Sequence, residues 1–356
     1  MKAPAASLLM SLALTWSSAS AQSELEQIRG EVQAALESPG AVGLSIAVAR
    51  GTTMIFEEGA GLAEVEHDVE ANAQTMFRIG SVTKQFTAAA IVRFAEEGTL
   101  EIDEDFRAYL PDYPETEEVI TVRHLLTHTS GIPSYTGLGP SWQATVAHEL
   151  AHEELLSLFE HLALEFSPGT KWNYNNSGYY LLGMIIEAQS GQDYGTHLAD
   201  TLFRPLGLTR TRNGSNEAII KNRAQGYRLI QGVLHNDGLI GMSQPGAAGA
   251  LLSTAGDLVR WQLALVGRKV VGAVSYEEMT TPFLLPSNRD TGYGFGLQLG
   301  ESQGHQRVSH GGGIFGFNSI LVYYPEAELS IAVISNSEDY DSSSLERRLA
   351  GILLGA

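Results

Sequence analysis

Strand-forming stretches sit at the two ends of this chain and helix-forming stretches fill its middle, an arrangement that restricts the possible folds more than any other feature. Near the start, residues 41–49 alternate Val42, Leu44, Ile46 and Val48 with other side chains, as a half-buried strand does, and Gly51 turns the chain into Met54, Ile55 and Phe56. Near the end, residues 293–299, 317–324 and 329–334 read as strands, and Pro325-Glu326-Ala327-Glu328 joins the last two. Short connections of this kind pair strands antiparallel, whereas parallel strands need long crossovers. The expected fold class is therefore α+β: an antiparallel β-sheet in which strands from both ends pair, with an inserted all-helical lobe. Terminal helices flank one face. The first covers residues 23–38, with Ser23 as its cap and Leu25, Ile28, Val32 and Leu36 inward; the second covers residues 344–354, with Leu345, Leu349, Ile352 and Leu353 inward. The α/β lobe is expected over about 22–70 plus 290–356, and the helical lobe over about 71–289.

The first 21 residues are set apart from this fold. Lys2, an apolar stretch from Ser7 to Trp16 and Ala19-Ser20-Ala21 have the layout of a secretory signal peptide cleaved after Ala21. Residues 22–356 are then expected to form one domain in the periplasm or outside the cell. No later apolar run reaches the ~20 residues a membrane span needs, so no stable membrane anchor is expected. The formal net charge of −19 repels phosphate backbones and argues against nucleic-acid partners. Cysteine is absent, so an exported chain of this length must be held by its core rather than by disulfides.

Three short motifs carry chemistry. In Ser81-Val82-Thr83-Lys84, the residues that follow favour a helix, and positions i and i+3 share a helix face, so the Lys84 amine can reach the Ser81 hydroxyl. Serine needs an adjacent base to attack, and lysine serves only when burial lowers its pKa from the ordinary ~10.4. A helix starting at Ser81 also directs its backbone N–H at a developing oxyanion. In Tyr174-Asn175-Asn176, an extended loop sets the phenol and the second amide on one side, the first to exchange protons and the second to hold a substrate carbonyl. In His310-Gly311-Gly312-Gly313, the glycines let a substrate lie against the backbone, and His310 faces either the Ser-Lys-Tyr centre or a substrate carboxylate. With 5 lysines and 30 serines in the chain, an isolated Ser-x-x-Lys has little meaning, so order and context decide.

Four loop signatures punctuate the middle: residues 125–133, 166–169, 249–257 (Thr254 and Asp257 spaced as a capping box) and the glycines 294, 296 and 300 along an expected strand. They read as fold maintenance.

Together, Phe77-Arg78-Ile79-Gly80-Ser81-Val82-Thr83-Lys84, Tyr174-Asn175-Asn176 and Ser309-His310-Gly311-Gly312 resemble the three active-site motifs of the serine β-lactamase and penicillin-binding-protein superfamily. The likeness is to its class C-like branch, which includes D-alanyl-D-alanine carboxypeptidases, D-aminopeptidases and esterases, and it runs from about residue 41 to 334. By that resemblance Ser81 is the acylated nucleophile, Lys84 its base and Tyr174 the proton shuttle. Asn176 positions the substrate amide, His310 and Gly312 match the third motif, and the N–H groups of Ser81 and Gly313 form the oxyanion hole. The resemblance implies a serine hydrolase without a cofactor, acting on a small-molecule or peptide ester, D-amino-acid amide or β-lactam. One position departs: β-lactamases of the branch carry lysine where His310 stands, while peptidase and esterase relatives often carry histidine. Neutral imidazole anchors a carboxylate less well than ammonium. The expectation is thus a carboxypeptidase or esterase type, with a class C-like β-lactamase as the alternative.

A second catalytic signature competes. His148-Glu149-Leu150-Ala151-His152 has the His-Glu-x-x-His spacing of zinc peptidases. The third-ligand positions of the longer pattern hold Leu155 and Leu158, and Leu155, Phe159 and Leu162 extend a helical stripe, so two histidines flanking a packed helix are expected rather than a metal site. His124 and His128 read as structural, and Glu115 to Glu118 as a solvated face. A non-catalytic binding module that keeps the fold is the remaining alternative.

Overall fold

A computed structural model describes residues 18–355, and side-chain surroundings from residue 22 onward; the signal-peptide reading falls almost wholly outside these residues. Helix α1 (Ser18–Leu36) precedes β1 (Gly43–Arg50), β2 (Thr53–Glu64) and β3 (Val69–Glu70). Ser23 lies inside α1, which begins earlier than its sequence suggests. The middle then runs through β4 (Phe77–Arg78), α2 (Thr83–Glu96), α3 (Val122–Leu126), α4 (Pro140–Gln143), α5 (His152–Leu156), α6 (Asn176–Ser190) and α7 (Tyr194–Leu198). It continues with β5 (Arg212–Asn213), the hairpin β6 (Tyr227–Ile230) and β7 (Val233–Asn236), α8 (Gly246–Gly249), β8 (Leu251–Ser253), α9 (Ala255–Val266) and α10 (Ala273–Met279). The last strands are β9 (Gln298–Ser302), β10 (His305–Ile314), β11 (Phe317–Tyr324) and β12 (Leu329–Ser335), and α11 (Ser342–Leu354) follows.

The large sheet has the order β3-β2-β1-β12-β11-β10-β9 and is antiparallel throughout, so the two chain ends meet where β1 pairs with β12. The sequence pattern foresees this pairing. It misjudges burial, however: β1 is buried on both faces, with only Arg50 partly open. Its large residues Leu44, Ile46 and Val48 pack with Ile331 and Val333 under α1 and α11, through Ile28, Val32, Leu345 and Leu349. Its small residues Ala47 and Ala49 face the second core, where α9 packs closely and the Ala255 N–H donates to Ser45 Oγ (3.0 Å). Small side chains on that face let a helix approach the strands. Ile352, expected inward, is only half-buried.

Residues 293–297 are not strand, contrary to the pattern; Gly296 adopts φ +67°, and pairing starts only at Gln298. The central helix α2 is buried along nearly its whole length, and Phe86 stacks on Trp261 of α9 at 4.1 Å between ring centroids. Phe86→Ala would cost about 3–5 kcal/mol, the range for emptying an aromatic core position. Thr254 caps α9 as expected by accepting from Asp257 N–H, but the Asp257 carboxylate accepts from Arg210 N–H and Thr211 instead of closing a box. Among the described residues no helix is long and apolar enough to cross a membrane.

Candidate active site

Ser81 lies in a single 3-10 turn (Gly80–Val82) between β4 and α2, so α2 itself starts two residues later than the motif suggests. Gly80 has φ +49°, and a Cβ there would press on the Gly313 backbone; glycine allows the turn to sit against β10. At the second residue of α2 the Lys84 side chain is fully buried. Its Nζ lies 3.1 Å from Ser81 Oγ, 2.8 Å from Asn176 Oδ1 and 2.8 Å from the Ala248 carbonyl, and it sits 4.7 Å and 5.4 Å from the ring centroids of Tyr174 and Tyr179. None of these partners is a carboxylate. Burial without a counter-charge pushes the Lys84 pKa well below its ordinary 10.5. A neutral amine donates two protons, to Asn176 and Ala248, and turns its lone pair to the Ser81 hydroxyl.

Asn176 opens α6, and its amide orientation follows from its bonds: Oδ1 accepts from Lys84, and Nδ2 donates to Thr136 Oγ1 (3.0 Å). Both ends are engaged, so in this structure Asn176 holds Lys84 rather than waiting for a substrate carbonyl. Its neighbour Asn175 caps α6 by accepting from Gly178 N–H (2.7 Å) and donates to the Ile132 carbonyl. Tyr174 precedes this cap. Its phenol oxygen is buried and has no hydrogen-bond partner of normal length, and burial raises its pKa above the ordinary 10, partly opposed by the nearby Ser81 hydroxyl.

The third motif is not a loop but part of β10, paired with β11 from Val308–Tyr323 to Ile314–Phe317. Gly313 is exposed and lines the same cavity as Ser81. Gly312 is buried: a Cβ there would strike the Ile79 carbonyl, so glycine serves the packing of β10 on the Ser81 turn. His310 is also buried and does not reach the cavity. Its Nδ1 lies 2.6 Å from the Gly311 carbonyl and so carries the proton, which leaves Nε2 to accept from Tyr293 OH (2.8 Å). Burial, with Lys84 nearby, lowers its pKa from 6.5 to about 3, so the ring is neutral.

Sequence reasoning missed the group behind the site. His128, in the left-handed region at φ 59°, accepts from Asn175 N–H at Nδ1 (3.1 Å) and lies 4.3 Å from the Tyr174 ring, 5.1 Å from Tyr179 and 4.6 Å from Tyr293. Its Nε2 is buried without a partner, and burial holds its pKa well below 6.5. Neutral imidazoles and phenols thus surround the Lys84–Tyr174 pair. No local pattern announces this role, because the left-handed backbone at His128 is visible only in the fold.

The competing motif comes apart. His148 and Glu149 lie in irregular chain, α5 begins only at His152, and Leu162 is exposed, so no common helix face joins the two histidines. Glu149 accepts from the N–H groups of Met242 and Ser243 (2.9 and 2.7 Å), and His152 bonds Tyr180 OH and Glu187 (2.7 and 2.8 Å). Among the described residues no group of three or more histidines and carboxylates is arranged to hold a metal ion.

An antiparallel sheet beside helices, with a buried lysine on a serine at the start of the central helix, defines a serine hydrolase of the penicillin-binding-protein type. Residues 28–355 match the family model described as Beta-lactamase, and the chain belongs to that family. Penicillin-binding protein 4* of Bacillus subtilis is 29% identical over 318 residues, spanning 83% of this chain and 68% of its own length. The solved octameric penicillin-binding protein homologue from Pyrococcus abyssi is 30% identical with a TM-score of 0.82, over 93% of this chain and 77% of that one. The D-amino acid amidase from Ochrobactrum anthropi is 25% identical with a TM-score of 0.80, over 92% of this chain and 99% of that one.

Proposed function

We propose that Ser81 is the nucleophile of an acyl-enzyme hydrolase that cleaves esters or D-amino-acid amides. The observation that carries this reading is the contact of Lys84 Nζ with Ser81 Oγ at 3.1 Å, in a buried setting without a carboxylate. Lys84 takes the Ser81 proton as Oγ attacks the carbonyl, forming the tetrahedral adduct. Tyr174, kept as a phenol by burial, gives its proton to the leaving oxygen or nitrogen, and the Lys84 ammonium restores that proton. Water then attacks the acyl-enzyme and gives a proton to the Tyr174–Lys84 pair, which passes it to Ser81 Oγ as the acyl–oxygen bond breaks, releasing the acid. The N–H groups of Ser81 and Gly313, which line one cavity, are the proposed oxyanion donors. Asn176 orients Lys84; His310, through Tyr293, and Gly312, through the Ser81 turn, hold the site in place.

Kinship with the D-amino acid amidase of Ochrobactrum anthropi supports the amide substrate class. The test is incubation with a fluorophosphonate, followed by intact mass and peptide mapping. A mass increase on Ser81, absent in Ser81→Ala, supports the mechanism; an unlabelled protein that cleaves no ester or amide points to a binding role. The chain is also proposed to be exported, with cleavage after Ala21. Mass analysis of protein recovered from the periplasm or medium checks this, and a product retaining residues 1–21 refutes it.

A further inference from the structure

The cavity that opens onto Ser81 is small, about 100 Å³, below the ~300–1,000 Å³ typical of small-molecule sites. Its walls are Tyr135, Trp142, Ile240, Pro245 and Phe315, with Thr136 and Asn176 as the polar side chains beside the serine. No Lys, Arg, Asp or Glu is among the described residues that line it. The aromatic wall is fixed rather than adaptable. Gln244 accepts from Trp142 Nε1 at its side-chain oxygen (2.8 Å) and from Tyr135 OH at its carbonyl (2.7 Å), and Trp142 meets Phe315 edge-on with ring centroids 6.4 Å apart.

The basic groups around the cavity are engaged elsewhere. Lys84 is enclosed beneath Ser81, bonded to Asn176 Oδ1 and the Ala248 carbonyl and in contact with the Ser81 hydroxyl. His310, the expected carboxylate anchor, is turned into the core and bonded at both nitrogens. Arg78 touches the Phe315 carbonyl (3.5 Å) from a neighbouring cleft, where it stacks 5.6 Å from the Phe317 ring centroid and bonds Asn216 (3.4 Å). A carboxylate brought to Ser81 would therefore lose water and gain no ion pair, a costly exchange. An apolar group would bury against the aromatic wall.

Building on the acyl-enzyme reading above, we infer that this site takes substrates without a carboxylate near the scissile bond, esters or amides with an apolar or aromatic acyl group. That separates the enzyme from carboxypeptidases and β-lactam hydrolases, whose substrates carry such a carboxylate. The acyl pair p-nitrophenyl butyrate and p-nitrophenyl hemisuccinate differs only by a terminal methyl against a carboxylate. The expected result is a kcat/KM at least about 100-fold higher for the butyrate, the scale of an unpaired charge at a half-enclosed site. Ile240→Lys, and Phe315→Arg at a half-buried position should the first fail to fold, should narrow that ratio at least about 10-fold. The rate of Ser81 labelling by the fluorophosphonate, which carries no carboxylate, reports whether each variant keeps a working serine. Rates for the two esters within about threefold of each other, with labelling intact, overturn the substrate class and leave the acyl-enzyme reading standing. A hemisuccinate preference that vanishes in Arg78→Gln overturns it too and places the carboxylate at Arg78. No labelling and no Ser81-dependent cleavage overturn both.

Discussion

The start of α2 and the segment 148–152 carry two catalytic signatures, Ser-x-x-Lys and His-Glu-x-x-His, and the structure treats them in opposite ways. At α2 the turn and helix are continuous, so Ser81 and Lys84 stay on one face, and two remote segments add Tyr174 with Asn176 and the Ala248 carbonyl. At 148–152 the helix begins only at the last residue, and the Glu149 and His152 side chains bond different neighbours. Spacing makes a site only when the element that turns spacing into geometry forms and other elements converge on it.

The largest test of that contrast is Ser81→Ala, which should lower kcat/KM for a p-nitrophenyl ester by about 10⁴-fold or more, as removal of a nucleophile does. Retained turnover would mean that the α2 motif is not the reacting centre. Lys84→Ala and Tyr174→Phe should each cost about 10³-fold in kcat, within the range of lost general acid–base catalysis. Wild-type kcat/KM should rise with pH through the lowered pKa of Lys84, because its neutral amine is the active form, and fall only above the ordinary tyrosine range, where Tyr174 ionises. An acid limb unchanged in Lys84→Ala would remove Lys84 from the role of base.

What the sequence made legible follows from range. The β11 strand appears at its observed bounds because apolar residues fill it, and Ser81 and Lys84 appear together because three residues separate them. The β10 strand was only half visible: three glycines have poor strand propensity, and pairing with β11 and β9 overrides it. The two- and three-residue strands β4, β5 and β8 have no period to read. His128, Tyr135, Trp142, Tyr293 and Phe315 were missed because each reaches the site through tertiary packing from a different segment. His310 was expected at the Ser-Lys-Tyr centre or at a substrate carboxylate because the glycines after it let a substrate lie against the backbone; in the strand its ring faces Tyr293.

A smaller effect belongs to His310, which is buried and neutral in the fold. Its pKa of about 3 in the fold lies below the ordinary 6.5, so between these values the unfolded chain binds a proton that the native state does not. Stability from this group is therefore present above about pH 6.5 and is lost as pH falls toward 3, with a slope of about 1.4 kcal/mol per pH unit. Urea unfolding between pH 4 and 6.5 should show a shallower dependence in His310→Gln than in the wild type. Equal slopes would mean that His310 is protonated in the native protein.

The smallest effect belongs to the segment that failed to become a site. His152 pairs with Glu187 at 2.8 Å, which raises its pKa above 6.5, but its side chain is 46% exposed and solvent screens the pair. The sign is opposite to that of His310: the stabilisation is present below pH 6.5 and fades as pH rises through the raised value. His152→Ala should cost less than about 1 kcal/mol at pH 6 and less again at pH 8. Ester turnover should stay within about twofold of the wild type, since His152 does not line the Ser81 cavity and meets its wall only through Tyr180 against Tyr135. Thermal unfolding at the two pH values, run beside the ester assay, checks both halves. A fall in turnover as deep as that of Lys84→Ala, without loss of fold, would place the 148–152 segment in the chemistry after all and dissolve the contrast with α2.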